Sequence, residues 1–383
     1  RFIMSEFQAS NFKKAQGGSA PDIVGKVEFT SPYFFVPPSG TTAERPQSCA
    51  PGTIRFNTDV GTIEIYRGDT IGWEYIQRRE TSTIAGRGLF ALGYDTSDPT
   101  NSIDFITIAT TGNAKDFGDL TITKGFTSAA SSKIRCVWGR SYNGSGKNVL
   151  DFVEIATQGN AVNFGDSTST TWSPAGCGDS TRGLFGGGAP DTNFAEFITF
   201  ASTGRATDFG NLYTARDMGA LSNSTRGLFG GGKPNGEVDT IHYVTIQSLA
   251  DGVDFGNLTS VRFGATGCSS STRGIFAAGT RFPSPFSLQG TNNIDFVTIA
   301  STGNATDFGD LSFNSYRGAS CTDATRAVIV QGSDNSGVSS DNNNLCFITI
   351  ATTGNAIDFG DKTTASGEMN ESGSSNIHGG LSG

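Results

Sequence analysis

IDFVTIASTGNATDFGD, from Ile294 to Asp310, decides how this chain is read. The same pattern stands as IDFITIATTGNAKDFGD from Ile103, LDFVEIATQGNAVNFGD from Leu150 and AEFITFASTGRATDFGN from Ala195. A degenerate copy, IHYVTIQSLADGVDFGN, starts at Ile241, and LCFITIATTGNAIDFGD starts at Leu345. The Phe-Gly pair marks each copy: Phe117, Phe164, Phe209, Phe255, Phe308 and Phe359, at successive spacings of 47, 45, 46, 53 and 51. A period of this size is the signature of solenoids, propellers and arrays, in which one small unit buries its apolar face against the next.

Each unit reads as β structure. Asp295-Phe-Val-Thr-Ile-Ala alternates apolar and polar positions with β-branched and aromatic residues, the pattern of a half-buried strand. Ser301-Thr-Gly-Asn is turn chemistry, and Thr306 to Leu311 is a second short strand. Upstream recurs a further strand, TRGLFGGG at Thr181 and Thr225, TRGIFAAG at Thr272 and TRAVIVQG at Thr325. Ahead of it lies a small-residue run such as Phe263-Gly-Ala-Thr-Gly-Cys-Ser-Ser. Four short strands in roughly 45–50 residues make one propeller blade, and no helical period appears in the array. The expected fold is all-β, a propeller of six blades, with seven as the alternative because a partial unit follows Asp361. That tail is either a frayed end or a strand that completes the first unit.

The order of features is an Arg, a small-residue strand, a strand ending in Gly-Gly, an apolar strand, a turn and an aromatic. It resembles the kelch repeat from about Arg79 to the C-terminus. Arg216 and Arg262 stand where the kelch Arg would be, and Gly186-Gly187 and Gly230-Gly231 match its double glycine. The Phe of Asp-Phe-Gly takes the place of the usual Trp. The resemblance implies a kelch-like β-propeller over 80–383 that binds something; it says little about chemistry.

Residues 51–76, PGTIRFNTDVGTIEIYRGDTIGWEYI, form a separate pattern: two strands around Asp59-Val-Gly, then a third at Ile71. The stretch resembles a short module of tail-fibre and other virion proteins of tailed bacteriophages. Gly52, Ile54, Arg55, Phe56, Asn57, Gly61, Glu64, Tyr66, Gly68 and Trp73 carry the likeness. A sheet this small is marginal alone, so docking or homo-oligomerisation is expected of a module at 49–79. Residues 1–48, with Pro37-Pro38-Ser-Gly and Pro46, read as an irregular, extended arm.

The chain has 383 residues, a net charge of −9 and only 16% charged residues, which disfavours a nucleic-acid partner. No apolar run approaches the ~18 residues of a membrane span, so no membrane insertion is expected. Cys177, Cys268 and Cys321 each lie five residues before a repeat arginine, at one equivalent small-residue site. That placement predicts free, buried thiols and assembly in the cytoplasm. Arg1-Phe-Ile-Met is too short for a secretory signal.

Several chemical motifs fail on inspection. Asp-Phe-Gly occurs without a kinase catalytic loop or lysine, and Gly186-Gly-Gly has no helix after it to hold phosphate. His242 and His378 lie in different units without a nucleophile or carboxylate context, and no Cys/His cluster has zinc spacing. Asp116/Asp119, Asp307/Asp310 and Asp358/Asp361 flank Phe-Gly, but Asn replaces Asp at Asn163 and Asn257. That exchange suits Asx turns and strand-end capping better than a calcium site. The repeat arginines Arg87, Arg135, Arg182, Arg226, Arg273 and Arg326 are expected to pack on, and bridge to, the DFGD carboxylates; an anion-binding ring is the alternative. No cofactor and no enzymatic activity are expected.

Repeated positions hold a scaffold, so recognition belongs where copies differ. The longest variable connections follow the Gly-rich strand of the fifth and sixth units. The fifth carries Arg281, Phe282 and Phe286, a cation with two aromatics; the sixth carries Asp334, Asn335 and Asn342. These are the receptor-binding candidates, whereas the six Phe residues and Arg182, Arg226 and Arg273 are structural. The combined expectation is a structural virion protein, a tail fibre or tail-associated adhesin. Its N-terminal part would dock to other tail proteins and its propeller would meet a host-surface glycan or protein. A propeller enzyme acting on host glycan, or a neck or capsid decoration protein, are the alternatives.

Overall fold

The computed structural model describes residues 37–46, 49–75, 86–91, 93–95, 98–281, 289–333, 343–363 and 372–381. The chain divides into two units, Arg1–Ser82 and Thr83–Gly383. Both are built of strands; the helical segments among the described residues are two 3-10 turns, Thr42–Glu44 and Gly379–Leu381.

Among the described residues the second unit contains six antiparallel sheets of at least four strands. Sheet 1 orders Ser372–Ser375, Arg87–Ala91, Ser102–Thr107 and Lys115–Asp119, so its first strand comes from the C-terminal end of the chain. Sheet 2 is Ser128–Ser131, Arg135–Gly139, Val149–Glu154 and Val162–Asp166. Sheet 3 is Ala175–Gly178, Arg182–Gly186, Phe194–Thr199 and Thr207–Asn211, and sheet 4 is Gly219–Ser222, Arg226–Gly230, Thr240–Thr245 and Val253–Asn257. Sheet 5 is Thr266–Ser269, Arg273–Ala277, Gln289–Thr298 and Thr306–Ser315, with Thr280–Arg281 added on Gln289–Thr298. Sheet 6 is Ser320–Thr322, Arg326–Val330, Asn344–Thr349 and Ile357–Asp361. The first strands touch in the order of sheets 1 to 6, and that of sheet 6 touches that of sheet 1.

The repeated letters are the sheet-to-sheet contacts. Phe117 of sheet 1 lies in one cluster with Trp138, Val153 and Ile155 of sheet 2. Phe164 meets Phe185, Ile198 and Phe200 of sheet 3, and Phe209 meets Phe229, Val244 and Ile246 of sheet 4. Phe255 packs with Phe276, Val297 and Ile299, and Phe308 with Ile329, Ile348 and Ile350. Phe359 of sheet 6 packs with Phe90, Ile106 and Ile108 of sheet 1. All six rings are 2% exposed.

The glycine after each Phe is needed by the next sheet. These glycines have φ between 140° and 147°. A Cβ at Gly165 would stand 2.0 Å from the Gly204 carbonyl oxygen, and one at Gly360 2.6 Å from that of Gly112 in sheet 1. The strand from Asp295 to Ala300 is half-buried as its alternation suggests, with Val297 and Ile299 buried and Thr298 and Ala300 exposed, whereas the strand before it is covered on both faces: Ile275 and Phe276, neighbours facing opposite ways, are both 0% exposed. The following strand carries a register shift between Ile294 and Asp295, repeated in all six sheets, and both residues are buried.

The first unit is a four-stranded sheet, Ser39–Gly40, Ile54–Asn57, Thr62–Tyr66 and Trp73–Tyr75. Ser39–Gly40 runs parallel to Ile54–Asn57, so the arm expected to be irregular through residue 48 contributes a strand and a 3-10 turn. Residues 1–36 lie outside the described residues. One face of this sheet is polar and covered: Arg55, Asn57 and Glu64 are buried, and Glu64 pairs with Arg45 and Arg55. The other face leaves Ile54 44% and Ile63 39% exposed. Gly52, Gly61 and Gly68 hold positive φ at its turns.

Candidate functional site

The repeat holds the ring of contacts, so a site must lie where equivalent positions carry different side chains. One such position enters each first strand of sheets 2 to 6. Phe126, Ser173, Asp217 and Arg317 have φ of 54°, 53°, 54° and 58°, and Gly264 has 67°. Each lies nine residues before a repeat arginine. Left-handed backbone costs a non-glycine residue roughly 1–2 kcal/mol, so something must hold it. The holder is a chain of backbone hydrogen bonds between sheets. Ser173 N–H donates to the Phe126 carbonyl at 2.8 Å, Asp217 N–H to Ser173 at 3.3 Å, Gly264 N–H to Asp217 at 2.7 Å and Arg317 N–H to Gly264 at 2.6 Å.

These residues surround the mouth of a cavity with about 590 Å³ of empty space, part of it open to solvent. Its walls are Ala129, Gly176, Ala220, Gly267 and Gly373, residues small enough to leave a passage. Across the mouth, Arg317 Nη2 donates to Asp217 Oδ2 at 2.8 Å, and the Asp217 side chain is 3% exposed. The Arg317 guanidinium also lies 5.2 Å from the Phe126 ring centre. From Phe126 the aromatics continue to Tyr142, 6.2 Å away, and then to Trp172, 5.1 Å further. All three are half-buried. Ser128 and Ser372 place buried hydroxyls in the cavity wall that have no hydrogen-bond partner among the described residues.

The other end of the passage is closed. Ser131, Ser375, Thr322 and Ser269 each donate a hydroxyl hydrogen bond to the carbonyl of the preceding sheet's equivalent residue, and Ser222 donates to Gly178. Behind this second girdle sits His378. Gly380 N–H donates to its Nδ1 at 3.1 Å, so Nε2 carries the proton and donates to the Ser131 carbonyl at 2.9 Å. Burial pushes the His378 imidazole below its ordinary 6.5, partly opposed by Asp179. Gly379, Gly380 and Leu381 are buried here.

The repeat arginines do not bridge to the DFGD carboxylates, a correction to the sequence expectation. Each lies over the aromatic of its own sheet, from 4.3 Å for Arg326 over Phe347 to 4.8 Å for Arg87 over Phe105. Each then donates Nη1 to a carbonyl of the next sheet: Arg87 to Ile155, Arg135 to Phe200, Arg182 to Ile246, Arg226 to Ile299, Arg273 to Ile350 and Arg326 to Ile108. A carbonyl presented at a strand end outcompetes a hydrated surface carboxylate.

The DFGD carboxylates do not cap strand ends either. Asp116, Asp307 and Asp358 are exposed, and among the described residues their carboxylates accept no hydrogen bond. The cap comes from the opposite side: Asn160 Oδ1 accepts from Asp119 N–H, Asn304 from Asn257, Asn355 from Asp310 and Asn113 from Asp361. Among the described residues no group of three or more His, Cys, Asp or Glu converges as a metal site would require. All six cysteines are free, and five are buried.

Sequence reasoning missed a set of buried charges. Lys124 pairs with Asp151 at 3.1 Å and Arg140 with Glu196 at 3.2 Å, and Arg262 pairs with Asp295. Burial lowers the pKa of all three cations, that of Arg140 to about 10, and the paired carboxylates oppose it. The kelch likeness singled out Arg216 and Arg262, but only Arg262 is buried; Arg216 pairs with Asp191 at 2.7 Å nearer the surface.

Of the receptor-binding candidates, Arg281 is exposed at the end of Thr280–Arg281, while Phe282, Phe286, Asp334, Asn335 and Asn342 lie outside the described residues. The two connections that carry them leave from beside the mouth. Thr280 bridges to Phe263, next to Gly264, and Ser333 bridges to Tyr316, next to Arg317. The chain matches no family model and no curated protein.

Proposed function

We propose that the six sheets are the blades of a kelch-like propeller, and that the chain is a non-enzymatic virion protein of a tailed phage. In this reading it is a tail fibre or tail-associated adhesin. The first unit docks to the particle and the propeller meets the host surface. The observation that carries the reading is the first unit. The residues that resemble the virion module are those that build it: Arg55, Asn57 and Glu64 form its charged interior, Tyr66 lies 5.4 Å from Trp73, and Gly52, Gly61 and Gly68 make its turns. Its opposite face presents Ile54 and Ile63, as a sheet that meets another protein or another copy would.

The cyclic contacts from sheet 6 to sheet 1, and the C-terminal strand in sheet 1, support the blade count. Closure leaves the edges of the first strands short and turned toward one another. The test is immunogold labelling of intact particles with antibodies to the second unit. Gold at the tail tip or fibres supports the adhesin. Gold at the neck or capsid replaces it with a decoration protein, and no labelling removes it from the virion.

A further inference from the structure

We propose that the cavity mouth binds the end of a neutral glycan, with one pyranose seated against Phe126 and its hydroxyls bonded to the Asp217–Arg317 pair. The inference rests on the host-contact reading above and moves recognition from the variable connections to the mouth they surround.

Four observations carry it. The first is charge balance. Arg317 is paired with Asp217 at 2.8 Å and Arg216 with Asp191 at 2.7 Å, so a ligand with net charge would have to separate an ion pair. A paired carboxylate and guanidinium nevertheless offer acceptor and donor sites at a fixed separation, which is what vicinal hydroxyls use. The second is the row Phe126, Tyr142 and Trp172, half-buried rings of which Phe126 lines the cavity; the face of such a ring is where the apolar face of a sugar packs.

The third is the pair of buried hydroxyls of Ser128 and Ser372 in the cavity wall, without a partner among the described residues. A buried hydroxyl without a partner is costly, and a ligand hydroxyl can act as donor or acceptor toward it. The fourth separates a glycan from a peptide. The N–H groups of Ser173, Asp217, Gly264 and Arg317 are spent on the neighbouring sheets, so at the mouth these four donors are not open to the carbonyls of a peptide. The same bonds hold the site in place before ligand arrives, which lowers the ordering cost of binding.

The experiment uses the full chain and two variants, Phe126→Gly and Asp217→Asn. Both new residues tolerate left-handed backbone, so the fold should survive, and an unchanged melting temperature verifies it. Saturation-transfer NMR is run with methyl glucoside, galactoside, mannoside and N-acetylglucosaminide, and with glucuronic acid and a heptapeptide for comparison. We expect transfer from at least one neutral glycoside, with affinity falling tenfold or more in each variant. No transfer from any neutral glycoside, equal binding by the variants, or preferred binding of the acid or the peptide would overturn the site.

Adsorption of labelled protein to a panel of bacterial strains separates this site from the reading beneath it. A strain that binds the wild type and both variants equally leaves the adhesin standing and removes the mouth. A wild type that binds no strain, yet binds a neutral glycoside in a variant-sensitive way, supports the mouth and removes the adhesin.

Discussion

Arg326 Nη1 donates to the Ile108 carbonyl at 3.1 Å across 218 residues of sequence, joining the sixth sheet to the first. Five equivalent arginines make the same bond one sheet onward. Replacing one therefore tests an interface between sheets rather than a surface charge. Arg182→Ala removes the bond to Ile246 and the contact over Phe197, and should cost about 1–2 kcal/mol in denaturant unfolding. A loss that disappears in high salt would instead indicate an exposed ion pair.

Phe209→Ala empties the contact between sheets 3 and 4, where the ring is 2% exposed. The expected cost is ~3–5 kcal/mol at unchanged secondary structure. A cost under about 1 kcal/mol would mean that the interface closes over the missing ring.

Gly165→Ala places a methyl 2.0 Å from the Gly204 carbonyl on a backbone with φ of 147°. Steric overlap and strain together should cost roughly 2–4 kcal/mol. Gly236→Ala is the comparison, because nothing stands within 4 Å of its Cβ. It should change stability by no more than about 0.5 kcal/mol, and a similar loss in both variants would refute the close approach.

Acid should loosen the closed end of the passage. His378 is neutral when folded, and burial lowers its pKa below 6.5. Between the folded and unfolded values the unfolded chain binds more protons, so stability falls as pH drops through 6.5 and is retained above it. His242 is shifted in the same direction by burial and adds to the slope. His378→Gln should flatten the pH dependence of the unfolding midpoint between pH 7.5 and 5.5. An unaltered slope would assign the acid sensitivity elsewhere.

Much of this fold can be read from spacing alone, because a contact repeated in every sheet repeats its residue. The Phe of Asp-Phe-Gly announces a buried ring in that way, and Cys177, Cys268 and Cys321 announce a small buried site. The partners of the repeat arginines are not legible, since a main-chain carbonyl leaves no letter in the sequence. Strand-end capping by Asn160 instead of by the Asp116 carboxylate is hidden for a related reason: it acts between adjacent units, and the sequence reads one unit at a time. The mouth was harder. Phe126, Ser173, Asp217 and Arg317 share no chemistry and none is glycine, so nothing marks their left-handed backbone. Their one signal is the fixed nine-residue offset from the repeat arginine.

Sheet 1 is assembled from both ends of the second unit, with Ser372–Ser375 laid against Arg87–Ala91. On the ribosome, sheet 1 stays incomplete until Ser372–Ser375 is synthesised. Throughout that interval Arg87–Ala91 has an open edge, which the same strand of a neighbouring nascent chain could fill. Correct closure thus depends on Ser372–Ser375 reaching Arg87–Ala91 of its own chain before that of a neighbour does.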